Sequence, residues 1–122
     1  MEKKKILIID DEKLIVKSTA LALSYFGYNT VQAASGAEGL AAAQKERPNA
    51  ILLDIMMPVM DGWEVLARLK EDPATASIPV IIFTAKEYSN GYSLAKEKGA
   101  AGYIAKPFEP EALDQLIKQC VE

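Results

Sequence analysis

The sequence predicts an α/β fold in which a parallel β-sheet is covered by helices on both faces. Three short runs are apolar at every position, as expected for strands buried on both sides of a parallel sheet; they are residues 6–9, 51–53 and 80–83. Segments with helical periodicity lie between them, and this alternation of strand and helix favours a parallel sheet. The 122 residues fit one domain of ordinary size, which we place at residues 1–122.

Capping and stop signals set where the predicted helices begin and end. Gly27 is a suitable stop for the first helix, because glycine readily adopts the left-handed conformation found after helix ends. Ser35 with Glu38, and Asp61 with Glu64, pair a capping side chain with an acidic residue three positions later. The predicted helices are residues 13–26, 36–46, 62–71, 87–98 and 110–121, and the predicted strands are residues 6–9, 30–33, 51–53, 80–83 and 102–105.

The last two helices differ in the strength of their signals. The helix at 87–98 contains Asn90 and Gly91 and has few apolar residues, and a glycine in a helix interior costs about 1 kcal/mol relative to alanine. We therefore expect a marginal and mobile element there. The last helix has a complete apolar stripe, in which we interpret Cys120 as a small core residue rather than a redox group; the stripe is Leu113, Leu116, Ile117, Cys120 and Val121.

The element order restricts the topology of the sheet. Connections between parallel strands are almost always right-handed, which leaves few possible windings. We predict a flavodoxin-like (βα)5 three-layer sandwich with a five-stranded parallel sheet of order 2-1-3-4-5. In open α/β sheets, ligands bind at the carboxyl ends of the strands where the strand order reverses. That position lies between the first and third strands.

Polar residues follow four of the five predicted strands. Asp10 and Asp11 follow the first strand, Asp54 the third, Thr84 the fourth and Lys106 the fifth. Each has an ordinary structural interpretation when taken alone, such as a helix cap, a strand end or a solvated charge. Because the carboxyl ends of parallel strands share one edge of the sheet, their joint occurrence indicates a functional site.

The residue types at this edge are suited to phosphoryl chemistry. Two carboxylates about 4 Å apart repel each other by roughly 4 kcal/mol at an effective dielectric constant of about 20, so the three aspartates call for a cation. Mg²⁺ takes one or two carboxylates together with phosphate oxygens. Lys106 offers a mobile positive charge and Thr84 a hydroxyl donor for phosphoryl oxygens. A carboxylate such as Asp54 can itself become an aspartyl-phosphate.

Composition excludes several classes of function. The net charge is −3, with no long basic run, so direct nucleic acid binding by this chain is not expected. One cysteine and no histidine argue against soft-metal sites and favour a reducing compartment, for which we expect the cytoplasm. The first apolar run is too short for a signal peptide or a membrane span, so no membrane association is expected.

Four stretches at these positions resemble receiver domains of two-component response regulators, with a chemotaxis-regulator-like pattern over essentially the whole chain. They are ILIIDD at 6–11, ILLDIMMPVMDG at 51–62, PVIIFTA at 79–85 and GYIAKPF at 102–108. The resemblance implies that Asp54 is the phosphoacceptor. It also implies that Asp10, Asp11, Asp54 and the backbone carbonyl of Met56 hold Mg²⁺.

The resemblance assigns further roles around the phosphoacceptor. Thr84 and Lys106 would bind the phosphoryl oxygens and assist catalysis, and the peptide bond between Lys106 and Pro107 would be cis. Thr84 and Tyr103 would form the switch that reshapes the surface of the fourth helix, fifth strand and fifth helix. The chain would then be a signalling phosphoacceptor rather than a turnover enzyme. A sensor histidine kinase or phosphotransfer protein would donate the phosphoryl group, and an effector or output domain would receive the signal.

Three other functions compete with this one. A haloacid-dehalogenase-type phosphatase would require Asp-x-Asp after the first strand, where the sequence has Glu12 in the third position. A flavin-binding protein of the same fold would require a phosphate-binding loop after the first strand, and nothing there resembles one. A degenerate receiver that only binds a partner is disfavoured by Asp54, Thr84 and Lys106. The sequence leaves open whether the chain is a stand-alone regulator or part of a longer protein.

Overall fold

Strands and helices alternate throughout the computed structural model, which describes residues 3–84 and 91–121. The strands are β1 Lys5–Ile9, β2 Asn29–Ala33, β3 Ala50–Leu53, β4 Val80–Thr84 and β5 Gly102–Ala105. The helices are α1 Lys13–Tyr25, α2 Gly36–Glu46, α3 Gly62–Glu71, α4 Gly91–Glu97 and α5 Pro110–Val121. The predicted alternation is confirmed, and most boundaries differ by one residue at most.

The five strands form one parallel sheet of order β2-β1-β3-β4-β5, which confirms the predicted topology. Ile9 at the end of β1 pairs with Leu53 at the end of β3. The backbone amide of Asp54 continues this ladder by donating to the carbonyl of Ile9 over 3.0 Å. The register therefore places the residues that follow β1 and β3 side by side at the carboxyl edge.

Alternate residues of each strand face two separate hydrophobic cores, because successive side chains of a strand point to opposite faces. Leu7 and Ile9 of β1 belong to the core under α2 and α3, whereas Ile6 and Ile8 belong to the core under α1 and α5. These two cores complete the three-layer sandwich. Cys120 packs against the second core, and burial raises the pKa of its thiol, as expected for a core residue.

The helix ends follow the predicted signals. Gly27 has φ +92° after the end of α1. Ser35 Oγ accepts from the amide of Glu38 over 3.2 Å, and the Asp61 carboxylate accepts from the amide of Glu64 over 3.0 Å. Of the helix predicted at 87–98, residues 87–90 lie outside the described residues, and its expected mobility stays a prediction. No helix in the described part of the chain has the length and apolarity needed to cross a membrane.

Candidate functional site

Two buried carboxylates lie next to each other where the strand order reverses. Asp10 follows β1 and Asp54 follows β3; they are only 1% and 2% exposed. The Asp10 carboxylate also accepts a hydrogen bond from the backbone amide of Glu12, over 3.0 Å. A buried carboxylate is costly unless it is paired or hydrogen-bonded. The neighbouring charges therefore determine the ionisation of these two carboxylates.

Lys106 brings a positive charge between these two carboxylates. It follows β5 and precedes a cis peptide bond to Pro107, as the resemblance implied. Its ammonium lies 2.6 Å from Asp10 Oδ2 and 3.9 Å from Asp54 Oδ2, and its side chain is 8% exposed. The same ammonium lies 4.4 Å from the centroid of the Phe83 ring, an arrangement that favours a cation. Lys106 therefore pairs mainly with Asp10 and only secondarily with Asp54.

The environment of Asp54 raises its pKa to about 6, well above the ordinary value of 3.8. Burial is the largest cause, and the negative charge of Asp10 acts in the same direction. The positive charge of Lys106 opposes the shift, together with hydrogen bonds from the Met56 backbone and the Thr84 side chain. Thr84 is itself fully buried at the end of β4. One lysine thus does not fully compensate two buried carboxylates.

Carboxylate oxygens of Asp10, Glu12 and Asp54 lie within 4.8 Å of one another. These are hard oxygen donors, whereas the sequence has no histidine and its one cysteine lies on α5. The donor set therefore fits a hard cation such as Mg²⁺ rather than a soft metal.

The membership of this carboxylate group differs from the predicted set. Glu12 was not predicted; it lies two residues after Asp10, where its amide donates to the Asp10 carboxylate in the turn that follows β1. Asp11 is exposed and lies outside the group found among the described residues. The metal roles of Asp11 and of the Met56 carbonyl stay predictions; the structure brings the Met56 amide to 3.4 Å from Asp54 Oδ1.

The loop from β3 to α3 is held closely against Asp54. The amide of Gly62 donates to the carbonyl of Ile55 over 2.9 Å. A Cβ atom on Gly62 would collide with the carbonyl oxygen of Asp54 and lie 2.6 Å from Ile55 Cα. Glycine is therefore required where α3 begins, and the packing of α3 fixes the backbone that carries Asp54.

Tyr103 lies at the contact between β5 and α4. Its side chain is half-buried and packs against the first core. A Cβ atom on Gly91 would lie 2.6 Å from Tyr103 Cζ, so the ring occupies the space beside the first residue of α4. The residue predicted to be a switch thus contacts the helix that it is predicted to affect.

Comparisons with known proteins agree with the fold. The family model of the response regulator receiver domain matches residues 6–118. The chain is 35% identical to protein PilH of Pseudomonas aeruginosa over 113 residues, covering 93% of both proteins. It is 39% identical to the probable transcriptional regulator ycf27 of Porphyridium aerugineum over 118 residues, covering 97% of this chain and 48% of that protein. The crystal structure of chemotaxis protein CheY4 of Vibrio cholerae has a TM-score of 0.89 at 32% identity, covering 98% of this chain and 99% of that chain.

The fold and the acidic edge of the sheet define a receiver-type signalling domain. The chain belongs to the response regulator receiver domain family of two-component systems. This family membership excludes the haloacid-dehalogenase-type phosphatase and the flavin-binding protein as interpretations of the chain. The chain spans about half the length of curated relatives such as ycf27, and nearly the whole length of PilH.

Proposed function

We propose that this receiver domain is a phosphorylation-activated switch whose phosphoacceptor is Asp54. The donor is a sensor histidine kinase or a phosphotransfer protein, the reaction requires Mg²⁺, and the phosphorylated domain signals to an effector or output domain. One observation carries the proposal: Asp54 is a buried carboxylate with a strongly raised pKa that has a second carboxylate and a lysine beside it. Such perturbed groups cluster at functional sites.

The side chains around Asp54 support a direct transfer. A carboxylate oxygen of Asp54 forms a bond to phosphorus while the bond from phosphorus to the donor nitrogen breaks, and the electron pair of that bond stays on the donor imidazole. Mg²⁺, when bound by Asp10 and Asp54, would supply charge neutralisation for the carboxylates and the phosphoryl oxygens. The domain contributes positioning and electrostatics, so it assists its own phosphorylation and dephosphorylation without being a turnover enzyme.

Lys106 and Thr84 have separate tasks in this proposal. Lys106 moves from Asp10 toward a phosphoryl oxygen. The movement is short, because its ammonium already lies 3.9 Å from Asp54 Oδ2. The Thr84 hydroxyl, which already bonds to the Asp54 side chain, donates to another phosphoryl oxygen. A phosphoryl group adds nearly two negative charges, which both groups stabilise.

The output of the switch is proposed to be the surface of α4, β5 and α5. Two contacts support this route: Thr84 pairs with Ala105 of β5, and Tyr103 on the same strand lies against Gly91 of α4. The domain signals to a protein partner, because its net charge of −3 does not favour nucleic acid as a direct ligand. The cytoplasm remains the proposed location.

The intact mass of the protein after incubation with acetyl phosphate tests the proposal. We expect the wild type to gain one phosphoryl group in Mg²⁺ and none in EDTA, and Asp54→Asn to gain none. Asp72→Asn removes a carboxylate at the far end of α3 and should be phosphorylated like the wild type.

Two outcomes would contradict the proposal. Phosphorylation of the Asp54→Asn variant at another residue would show that the acceptor is misassigned. Absence of phosphorylation, both with acetyl phosphate and with a phosphorylated phosphotransfer protein, would instead support a degenerate receiver that only binds a partner.

A further inference from the structure

We propose that Glu12 is an additional carboxylate of the Mg²⁺ site, beyond the predicted aspartates, and contributes to the Mg²⁺ affinity of the site beside Asp10 and Asp54. The inference rests on the proposed function, because it concerns the cation of the same site. It assigns to Glu12 a role that neither the sequence pattern nor the family resemblance indicated.

The backbone after β1 directs Glu12 toward the site. Its amide donates to Asp10 Oδ1 over 3.0 Å, which folds the chain back on the Asp10 carboxylate. Glu12 has extended backbone, with φ −90° and ψ 103°. This turn brings a carboxylate oxygen of Glu12 within 4.8 Å of an oxygen of Asp10. The intervening Asp11 is exposed and outside the carboxylate group of the described residues.

The Glu12 side chain does not cap α1. Glu12 occupies the N-cap position, but its side chain accepts no capping hydrogen bond from the helix. This differs from Ser35 and Asp61, whose side chains cap α2 and α3. A carboxylate placed within 4.8 Å of the oxygens of Asp10 and Asp54, and not used for capping, is available to a cation.

Glu12 differs from the two aspartates in its exposure to solvent, and it therefore contributes to Mg²⁺ binding in a different way. Asp10 and Asp54 are buried, whereas Glu12 is exposed at the rim. Mg²⁺ usually retains several waters and takes few protein carboxylates, so an exposed carboxylate contributes through its charge and through those waters. The attraction between opposite charges near a protein surface sets the size of this effect. We expect removal of the Glu12 charge to weaken Mg²⁺ binding by about three- to tenfold.

Isothermal titration of the unphosphorylated protein with MgCl₂, without any phosphoryl donor, tests this inference. The variant is Glu12→Gln, which retains the shape of the side chain and removes the charge. The matched control is Glu71→Gln, which makes the same change at an exposed residue at the end of α3. Glu71 lies about 14 Å along that helix from Gly62, which contacts the Asp54 backbone. Far-UV circular dichroism confirms that each variant is folded.

We expect Glu12→Gln to raise the Mg²⁺ dissociation constant by about three- to tenfold, and Glu71→Gln to leave it unchanged. Wild-type affinity in Glu12→Gln, or equal weakening in both variants, would overturn the role of Glu12 while leaving the proposed function intact. If the wild type itself binds no Mg²⁺, the metal requirement of the proposed function falls, and the role of Glu12 falls with it.

Discussion

The charge of Asp54 destabilises the metal-free domain. The carboxylate is 2% exposed, and Lys106 lies closer to Asp10 than to Asp54. Its pKa of about 6 exceeds the ordinary value of 3.8, chiefly because of burial. Between about pH 4 and pH 6 the folded state therefore binds more protons than the unfolded state. Linkage then requires that the contribution of Asp54 to stability falls as the pH rises through this window.

Asp54→Asn should therefore stabilise the metal-free protein at neutral pH. The substitution keeps the shape of the side chain and removes the buried charge, so we expect the free energy of unfolding at pH 7.5 to rise by about 1–2 kcal/mol. The gain should shrink as the pH falls and vanish below about pH 4, where Asp54 is protonated in both states. Urea denaturation in EDTA over this pH range measures it.

Asp72 provides a control of opposite sign for this experiment. Hydrogen bonds from the Ala74 amide and the Gln44 side chain lower the pKa of Asp72. Its charge therefore stabilises the fold above its unfolded pKa, and Asp72→Asn should not stabilise the protein at pH 7.5. A loss of stability in Asp54→Asn at pH 7.5 would mean that the attraction of Lys106 outweighs the cost of burial.

The start of α3 controls the backbone that carries Asp54. Gly62 is needed because backbone atoms of Asp54 and Ile55 occupy the space that a Cβ would fill. Backbone atoms cannot rotate away as a side chain can, so the clash must move α3 or the end of β3. Gly27 is a glycine for a different reason, since its surroundings are open but its φ is +92°.

Gly62→Ala should therefore affect both stability and function. We expect the free energy of unfolding to fall by about 1–3 kcal/mol, as for other overpacked sites, and phosphorylation by acetyl phosphate to slow because the Asp54 backbone shifts. Thermal or urea denaturation and intact-mass kinetics measure the two effects. Gly102→Ala is the matched control, because the nearest atoms to its Cβ would belong to the flexible side chain of Leu116, at 3.1 Å and beyond. Equal effects in the two variants would contradict the importance of the backbone contact.

For the molecule as a whole, the sequence was sufficient to predict the architecture and the placement of Asp54, Thr84 and Lys106 at the carboxyl edge of the sheet. Runs such as residues 51–53 are apolar throughout because both faces of the sheet are covered. Parallel strands share a carboxyl edge, so the positions of Asp54, Thr84 and Lys106 in the sequence implied their proximity. The edge strand β2 was less well defined, because four of its five residues are exposed or only partly buried. The structure begins it at Asn29, one residue before the predicted start.

Other features depend on distances between elements, which no sequence pattern contains. The preference of Lys106 for Asp10 over Asp54 reflects how β5 is positioned relative to β1 and β3. The proximity of Glu12 to the aspartates follows from the turn after β1. The requirement for glycine at Gly62 follows from the close packing of α3 against β3.

The proposed site and the proposed output surface are joined through one edge of the sheet. Tyr103 and Lys106 are three residues apart, with Tyr103 on β5 and Lys106 just beyond it. Tyr103 pairs with Ile82 of β4, and Thr84 is the last residue of β4. In the proposed function, a movement of Thr84 or Lys106 toward a phosphoryl group would therefore be transmitted over a short distance to Tyr103 and to Gly91 of α4. Helix α2 packs instead against β1, β2 and α3, away from this edge.

Hydrogen–deuterium exchange should consequently change unevenly on phosphorylation. We expect altered exchange in Gly91–Glu97 and Gly102–Ala105 after treatment with acetyl phosphate and Mg²⁺, and unchanged exchange in Gly36–Glu46. The reason is that a ligand shifts a conformational equilibrium only where the two conformations interact with it differently. Asp54→Asn treated in the same way should show no change in any segment. Equal changes in α2 and α4, or changes limited to residues that contact Asp54, would exclude the α4–β5–α5 surface as the output of the switch.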